Sequence, residues 1–337
     1  MAGLLHAQTP PKVEPVKTVV TVTARPEPVE TSAADITVID LDSSPASSPQ
    51  SFADILRFQP ALYIGQTGQR GGLTVVSLRG GDPNFTLFML DGIPVNDITD
   101  QLGGTVDLST ILPVNVGRVE VVRGPMSVLH GSEAVAGVIN VISRDEPKEH
   151  AALKLSTGSF GTLDGGFSLG GRKGRFQYSL GIAGVRIGEQ VERDSFSAID
   201  SGGRLSAAMG SNMSIAFTFR IRRSEAAGFP ANSGGPKYAL DRALETRAAT
   251  SGIAGLEWKY STGRWSHLIT GDFFPQAQDQ NTPAIFDRIP PGFQTVPATI
   301  SSTTFRRARV NGSASLRIAN RWTATIGAAY RNESGEN

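Results

Sequence analysis

The chain contains no cysteine, so disulfide stapling and thiolate metal sites are excluded. No apolar run reaches the roughly 18 residues a membrane-crossing helix needs. That absence leaves a membrane protein open, because β-barrel strands are short and only half apolar. Neither sign of charge dominates: 32 Lys and Arg stand against 31 Asp and Glu, for a net charge of +1. No general attraction to nucleic acid or acidic lipid follows from such a balance. The four histidines, His6, His130, His150 and His267, are scattered without ligand spacing. No glycine-rich phosphate loop, nucleophile elbow or acid/base pair beside a cleft motif occurs. Enzyme chemistry is therefore not expected, and no catalytic residue, cofactor or metal ion is assigned.

What the chain does have is glycine, 38 of 337 residues, with no collagen period. Its length suits one large or two ordinary domains. Met1–Gln8 is similar to the tail of a secretory signal without its basic start and most of its apolar stretch. Two readings fit these eight residues: a start assigned late or a chain that was cut, and a disordered soluble N-terminus. Residues 9–17 are Pro-rich and polar, an extended leader. The β-prone segment Thr18, Val19, Val20, Thr21, Val22, Thr23, Ala24 follows, then a second Pro-rich stretch over 25–30. A strand between such linkers, with no packing partner nearby, is poised to add to the sheet edge of another protein, where main-chain bonds supply the affinity.

From residue 35 the chain alternates strand and turn signals. Asp35–Leu41 reads as a strand. Ser51 can cap a short helix, Phe52–Phe58, with Phe52, Ile55 and Leu56 on one face and Pro60 ending it. Val75–Gly80 and Phe85–Leu90 read as strands, with Asp91-Gly92 as a tight turn. Leu108–Pro113 is a turn of helix. The densest signal is 118–144: a strand Arg118–Arg123, a Gly124-Pro125 stop, a short helical piece Ser127–His130, and the β-branched run Gly137–Ser143. Polar loops lie at 65–72 and 96–104. Asp97 and Asp100 sit close together, but two carboxylates in a loop are more often solvated than metal-bound.

In order and spacing, Leu78-Arg79-Gly80, Leu90–Asp97 and 118–144 resemble the plug-domain signature of TonB-dependent outer-membrane receptors. The resemblance covers about residues 15–145 motif by motif. It implies that residues 18–24 are the TonB box, captured as an added strand by the periplasmic end of TonB. It implies that Arg79 and Arg123 pair with barrel-wall glutamates, a plug–barrel latch. It also implies apical, ligand-facing plug loops carrying Gln66, Thr67, Gln69 and Arg70, and Asn96, Asp97, Asp100 and Gln101. The partners implied are TonB, outer-membrane lipid and a scarce small-molecule ligand such as a metal chelate; the location implied is the bacterial outer membrane.

Beyond residue 150 motifs give way to dyad repeats. In Met213–Ile221 one parity is Met, Ile, Phe, Phe, Ile and the other Ser, Ala, Thr, Arg. Arg307–Ile318 alternates in the same way. These strands fit a transmembrane barrel with apolar residues outward, or a soluble β-rich module with polar residues outward; alternation alone does not choose. Short turns at 171–174, 210–212, 261–263 and 320–321 alternate with long connections at about 189–196, 225–247 and 277–301, as in outer-membrane barrels. Trp265, Trp322 and Tyr260 beside short turns suit an interfacial girdle. The expected fold is an α+β plug followed by antiparallel transmembrane β-barrel strands. About nine strands are counted where the family's plugged barrels have about twenty-two. The expected divisions are 1–30 for the leader, 31–147 for the plug and 148–337 for an incomplete barrel.

Overall fold

The structure is a computed structural model. It describes residues 19–20, 27–28, 34–41, 51–68, 70–100, 102–144, 149–231, 233–286, 295–319 and 322–337. In the leader, β1 (Val19–Val20) pairs antiparallel with β2 (Glu27–Pro28), Val19 opposite Pro28 and Val20 opposite Glu27. The leader strand, expected to lack a partner, thus has a local one over two residues. Thr18 and Thr21 to Ala24 lie outside the described residues.

The N-terminal domain is built on a five-stranded sheet. Its strands are β3 (Asp35–Asp40), β6 (Thr86–Leu90), β7 (Ile93–Pro94), β8 (Val116–Arg123) and β9 (Gly137–Ser143), in the order β3-β8-β9-β6-β7. All pairings are antiparallel except the parallel β6–β9 pair. A separate hairpin joins β4 (Leu62–Gln66) to β5 (Thr74–Leu78). Asp91 and Gly92 both take positive φ (50° and 80°), the left-handed pair a two-residue hairpin turn requires.

Helix α1 (Phe52–Leu56) starts at a complete capping box: the Ser51 hydroxyl accepts from the Asp54 amide, and the Asp54 carboxylate accepts from the Ser51 amide. It ends earlier than the expected Phe58. Phe58 finds no apolar cover, and the residue before Pro60 is pushed away from helical backbone. The helix packs Phe52 against Phe88 in a T-shaped pair, ring centres 5.8 Å apart.

This sheet is covered on both sides. Val119, Val121, Ile139, Val141, Phe88 and Leu90 join one cluster with α1, whereas Val122, Val138, Leu87 and Met89 join a second with Ala134. The polar–apolar alternation of Arg118–Arg123 therefore does not separate water from core. Glu120 is fully buried and accepts from Arg118 at 2.9 Å.

The remainder is an antiparallel meander of nine strands among the described residues, β10-β11-β12-β13-β14-β15-β16-β19-β20. They are β10 (His150–Gly158), β11 (Thr162–Lys173), β12 (Phe176–Ile187), β13 (Ser195–Met209), β14 (Met213–Gly228), β15 (Glu245–Thr262), β16 (Trp265–Thr282), β19 (Thr299–Ala319) and β20 (Trp322–Glu336). The two-residue strands β17 (Ile285–Phe286) and β18 (Thr295–Val296) pair within the connection between β16 and β19. The long connections are 188–194, 229–244 and 283–298, shorter than expected. Polar strand ends such as Arg222–Glu225 and Gln276–Gln280 stay in the hydrogen-bonded ladder, although their composition reads as loop.

The sheet turns its apolar face out. On β14, Phe217 and Ile221 are 40% and 61% exposed, while the intervening Arg220 and the next-but-one Arg222 are 6% and 4% exposed. Leu256, Ile269, Val310 and Ile326 are likewise exposed on neighbouring strands. A soluble sandwich would do the opposite, since a contiguous exposed apolar face in water is costly. This arrangement is that of a lipid-facing wall with a polar inner side. Beside the short turn at 263–264, Trp258, Tyr260, His267 and Trp265 stack in a row, with ring centres 5.9–6.1 Å apart. Such amphipathic rings suit a membrane–water boundary.

Candidate functional site

The inner face of the wall closes on the N-terminal domain, which occupies it as a plug. Wall residues Ile253, Phe274 and Phe305 belong to the plug's main apolar cluster. The plug's Leu112 in turn enters a wall cluster of Val185, Ile187, Phe196 and Ala198. Glycine permits the closest approaches. A Cβ at Gly255 would lie 2.6 Å from the Ile93 side chain, and one at Gly71, whose φ is +95°, 2.4 Å from the Phe196 ring.

Charged groups do the rest of the joining. Arg220 on β14 forks onto Asp200 of β13 at 2.7 and 2.8 Å, and its Nη2 also donates to the Leu112 carbonyl of the plug at 2.7 Å. The Leu112 amide donates back to Asp200 at 3.1 Å. Arg309 on β19 forks onto its cross-strand neighbour Asp272 and donates to the Gly92 carbonyl at 3.0 Å. Arg247 on β15 donates to the Gly71 carbonyl at 2.9 Å and pairs with Asp107 of the plug at 3.0 Å. Fully buried Arg307 pairs with Glu133 of the plug and Glu333 of β20, and Arg331 joins the same carboxylates. Buried ions of this kind are tolerable because each carboxylate is matched.

Arg79 and Arg123 lie elsewhere. Both converge on Asp35: Arg79 at 2.8 Å and Arg123 at 3.5 Å. Arg123 also donates to the Thr37 hydroxyl at 2.7 Å and the Pro60 carbonyl at 3.1 Å. Among the described residues the carboxylate both meet is that of a plug aspartate. The reason is local: Asp35 and Arg123 are cross-strand neighbours on β3 and β8. Arg79 takes a φ of +52°, a conformation an arginine adopts at a cost of about 1 kcal/mol or more.

The apical loops divide. Gln66 and Thr67 are exposed, and Arg70 is half-buried and pairs with Asp164 of the wall at 3.7 Å. Asn96, expected to face a ligand, is completely buried. Its Oδ1 accepts from the Phe88 amide, and its Nδ2 donates to the Thr86 and Gly104 carbonyls, so it braces the loop from within. Asp97 is also buried, accepting from Thr99 and from Gln276 of the wall at 2.8 Å. Burial pushes its carboxyl above the usual range, with nearby Asp100 adding to the rise against the lowering effect of those hydrogen bonds. Asp100 spends its oxygens on the amides of Leu102, Gly104 and Thr105 and on the Thr105 hydroxyl. Neither carboxylate is free to bind a cation, and no metal-holding group occurs among the described residues. Gln69 and Gln101 lie outside the described residues.

Between the segments 67–73 and 100–107 of the plug and the outer ends of β14, β15 and β16 lies a cavity of about 290 Å³. Thr67, Arg70 and Asp100 line it from the plug. From the wall come Arg222, Arg247 and the glutamines 276, 278 and 280, which the two-residue period of β16 sets on one face. The wall arginines escaped the sequence reading. Their only signal was a charge on the parity opposite the apolar one.

Residues 28–138 match the family model of the TonB-dependent receptor plug domain. The chain is 35% identical over 166 residues to the vitamin B12 transporter of Vibrio vulnificus, an alignment covering 49% of this chain and 26% of that protein. Among solved structures, the ferric-catecholate import receptor of E. coli K12 superposes with a TM-score of 0.70 at 14% identity, over 92% of this chain and 50% of that one. A ferric enterobactin receptor mutant from Pseudomonas aeruginosa gives 0.67 at 17% identity, over 91% and 50%. The chain thus spans about half the length of these solved structures. At such identities the likeness is one of fold.

Proposed function

From the premise that this chain carries a TonB-dependent receptor plug seated against nine strands of outer-membrane barrel wall, in the bacterial outer membrane, we propose that it acts in energy-coupled uptake of a scarce ligand. A ferric siderophore, a cobalamin or a similar chelate is the class of cargo. No bond is made or broken; the work is conformational and supplied by TonB.

The observation that carries this reading is where the leader enters the plug. The first strand of the plug sheet is β3, an edge strand held by six consecutive pairs with β8, from Asp35 opposite Arg123 to Asp40 opposite Arg118. Its first residue is the carboxylate on which Arg79 and Arg123 converge. A pull on residues 18–24 reaches that cluster first and then peels β3 from the sheet one pair at a time. The Arg79–Arg123–Asp35 cluster is thus the proposed latch, set inside the plug. Val19–Val20 exchanges a two-residue local pairing for a strand on TonB.

Deleting residues 18–24 tests the reading. Uptake of the cognate ligand is expected to be abolished while binding at the cell surface is retained. Uptake at the wild-type rate would remove the role of this segment.

A further inference from the structure

Arg222 stands directly opposite Asp200 in the β13–β14 register, yet does not bond it. The Asp200 oxygens are already taken by Arg220 and by the Leu112 amide. Arg222 is 4% exposed, and its Nη1 has no hydrogen-bond partner among the described residues. A buried guanidinium nitrogen in that state is costly until an acceptor pairs with it. Arg307, Arg123 and Arg144 also hold one such nitrogen each, but none of the three lines the cavity beside residues 100–107; Arg222 does.

The cavity around Arg222 is suited to an acceptor-rich guest. Arg247 and Arg70 line it, and so do Gln276, Gln278 and Ser224. Its acids have partners: Asp107 is held by Arg247 and two backbone amides, Asp100 by the donors of its own loop, and Glu245 at the rim accepts from the Thr282 hydroxyl. The unmatched group in the lining is therefore a cation.

We infer that Arg222 is the anchoring residue of this cavity and that the cargo presents an oxyanion to it, under the apical loop 67–73. This rests on the receptor reading above and narrows it: a chelate carrying catecholate, carboxylate or phosphodiester oxygens is taken in preference to a neutral one. A planar, two-pronged donor matches such delocalised oxygens better than an ammonium does.

The test is ligand titration by intrinsic tryptophan fluorescence on the full chain in detergent, comparing wild type, Arg222→Gln and Arg222→Lys. Three probes are used: a trianionic ferric tricatecholate, cyanocobalamin with its single phosphodiester, and a neutral ferric trihydroxamate. At least one of the first two is expected to bind wild type, and which one does so identifies the source of the oxyanion. Arg222→Gln should weaken that probe about tenfold or more, the equivalent of one charge-assisted hydrogen bond, and Arg222→Lys by less. An unchanged affinity in Arg222→Gln, or binding of the neutral probe alone, overturns the inference and leaves the receptor reading standing. Binding of none of the three to a wild-type chain with intact β-sheet circular dichroism removes both.

Discussion

Strands β8 and β14 read much alike on paper, each alternating branched or aromatic residues with arginine and other polar groups. In the fold they have opposite fates. Every residue of β8 is buried or half-buried, because the plug sheet is covered on both faces and Glu120 is folded in with its Arg118 partner. On β14 every second residue from Phe217 to Glu225 is buried, and all four buried ones, Thr218, Arg220, Arg222 and Ser224, are polar. Alternation reports that a strand has two different faces. It does not report which face is wet; what lies against the second face decides that.

The sharpest way to press the contrast is to unpair one buried ion. Asp200→Ala leaves Arg220 charged and unmatched and the Leu112 amide unbonded, and is expected to cost about 3–5 kcal/mol in urea unfolding followed by fluorescence. The double change Asp200→Leu with Arg220→Met should recover most of that. On the outward side of the same strand, Arg223 and Glu225 pair with more than half of each side chain exposed. Arg223→Ala is accordingly expected to lose under about 1 kcal/mol.

A somewhat smaller effect is expected from charge on the lipid face. Phe217→Arg should destabilise the chain in lipid vesicles by about 2–4 kcal/mol if it sits near the midplane. A water-facing wall would accept the change with little loss, so an unaltered unfolding midpoint would break the comparison. The smallest effect compares one swap in two settings. Ile139→Val trims a fully buried plug strand and should cost about 0.5–1.5 kcal/mol. Ile221→Val, on the exposed face, should fall near zero in detergent, measured the same way.

Local rules carried much of the plug. The Ser51 cap, the Asp91-Gly92 turn and the β-branched run at 137–143 each depend on neighbours in sequence, and each takes the expected form. The nine wall strands were legible because the dyad period recurs. Three features were not. Asp35 meets Arg79 and Arg123 across 44 and 88 positions, and no local pattern links them. Arg220 and Arg309 grip plug carbonyls, which every residue carries, so no plug side chain advertises those two contacts. Asn96 sits in a polar run but is drawn inward because two backbone groups of β6 and one of its own loop need a partner.

Arg220, Arg309 and Arg247 hold the plug by the main-chain oxygens of Leu112, Gly92 and Gly71. Handholds of that sort are blind to spelling. The side chains around them can drift from one lineage to the next while the stopper keeps its seat, and the surface that meets cargo is left to vary on a fixed mount.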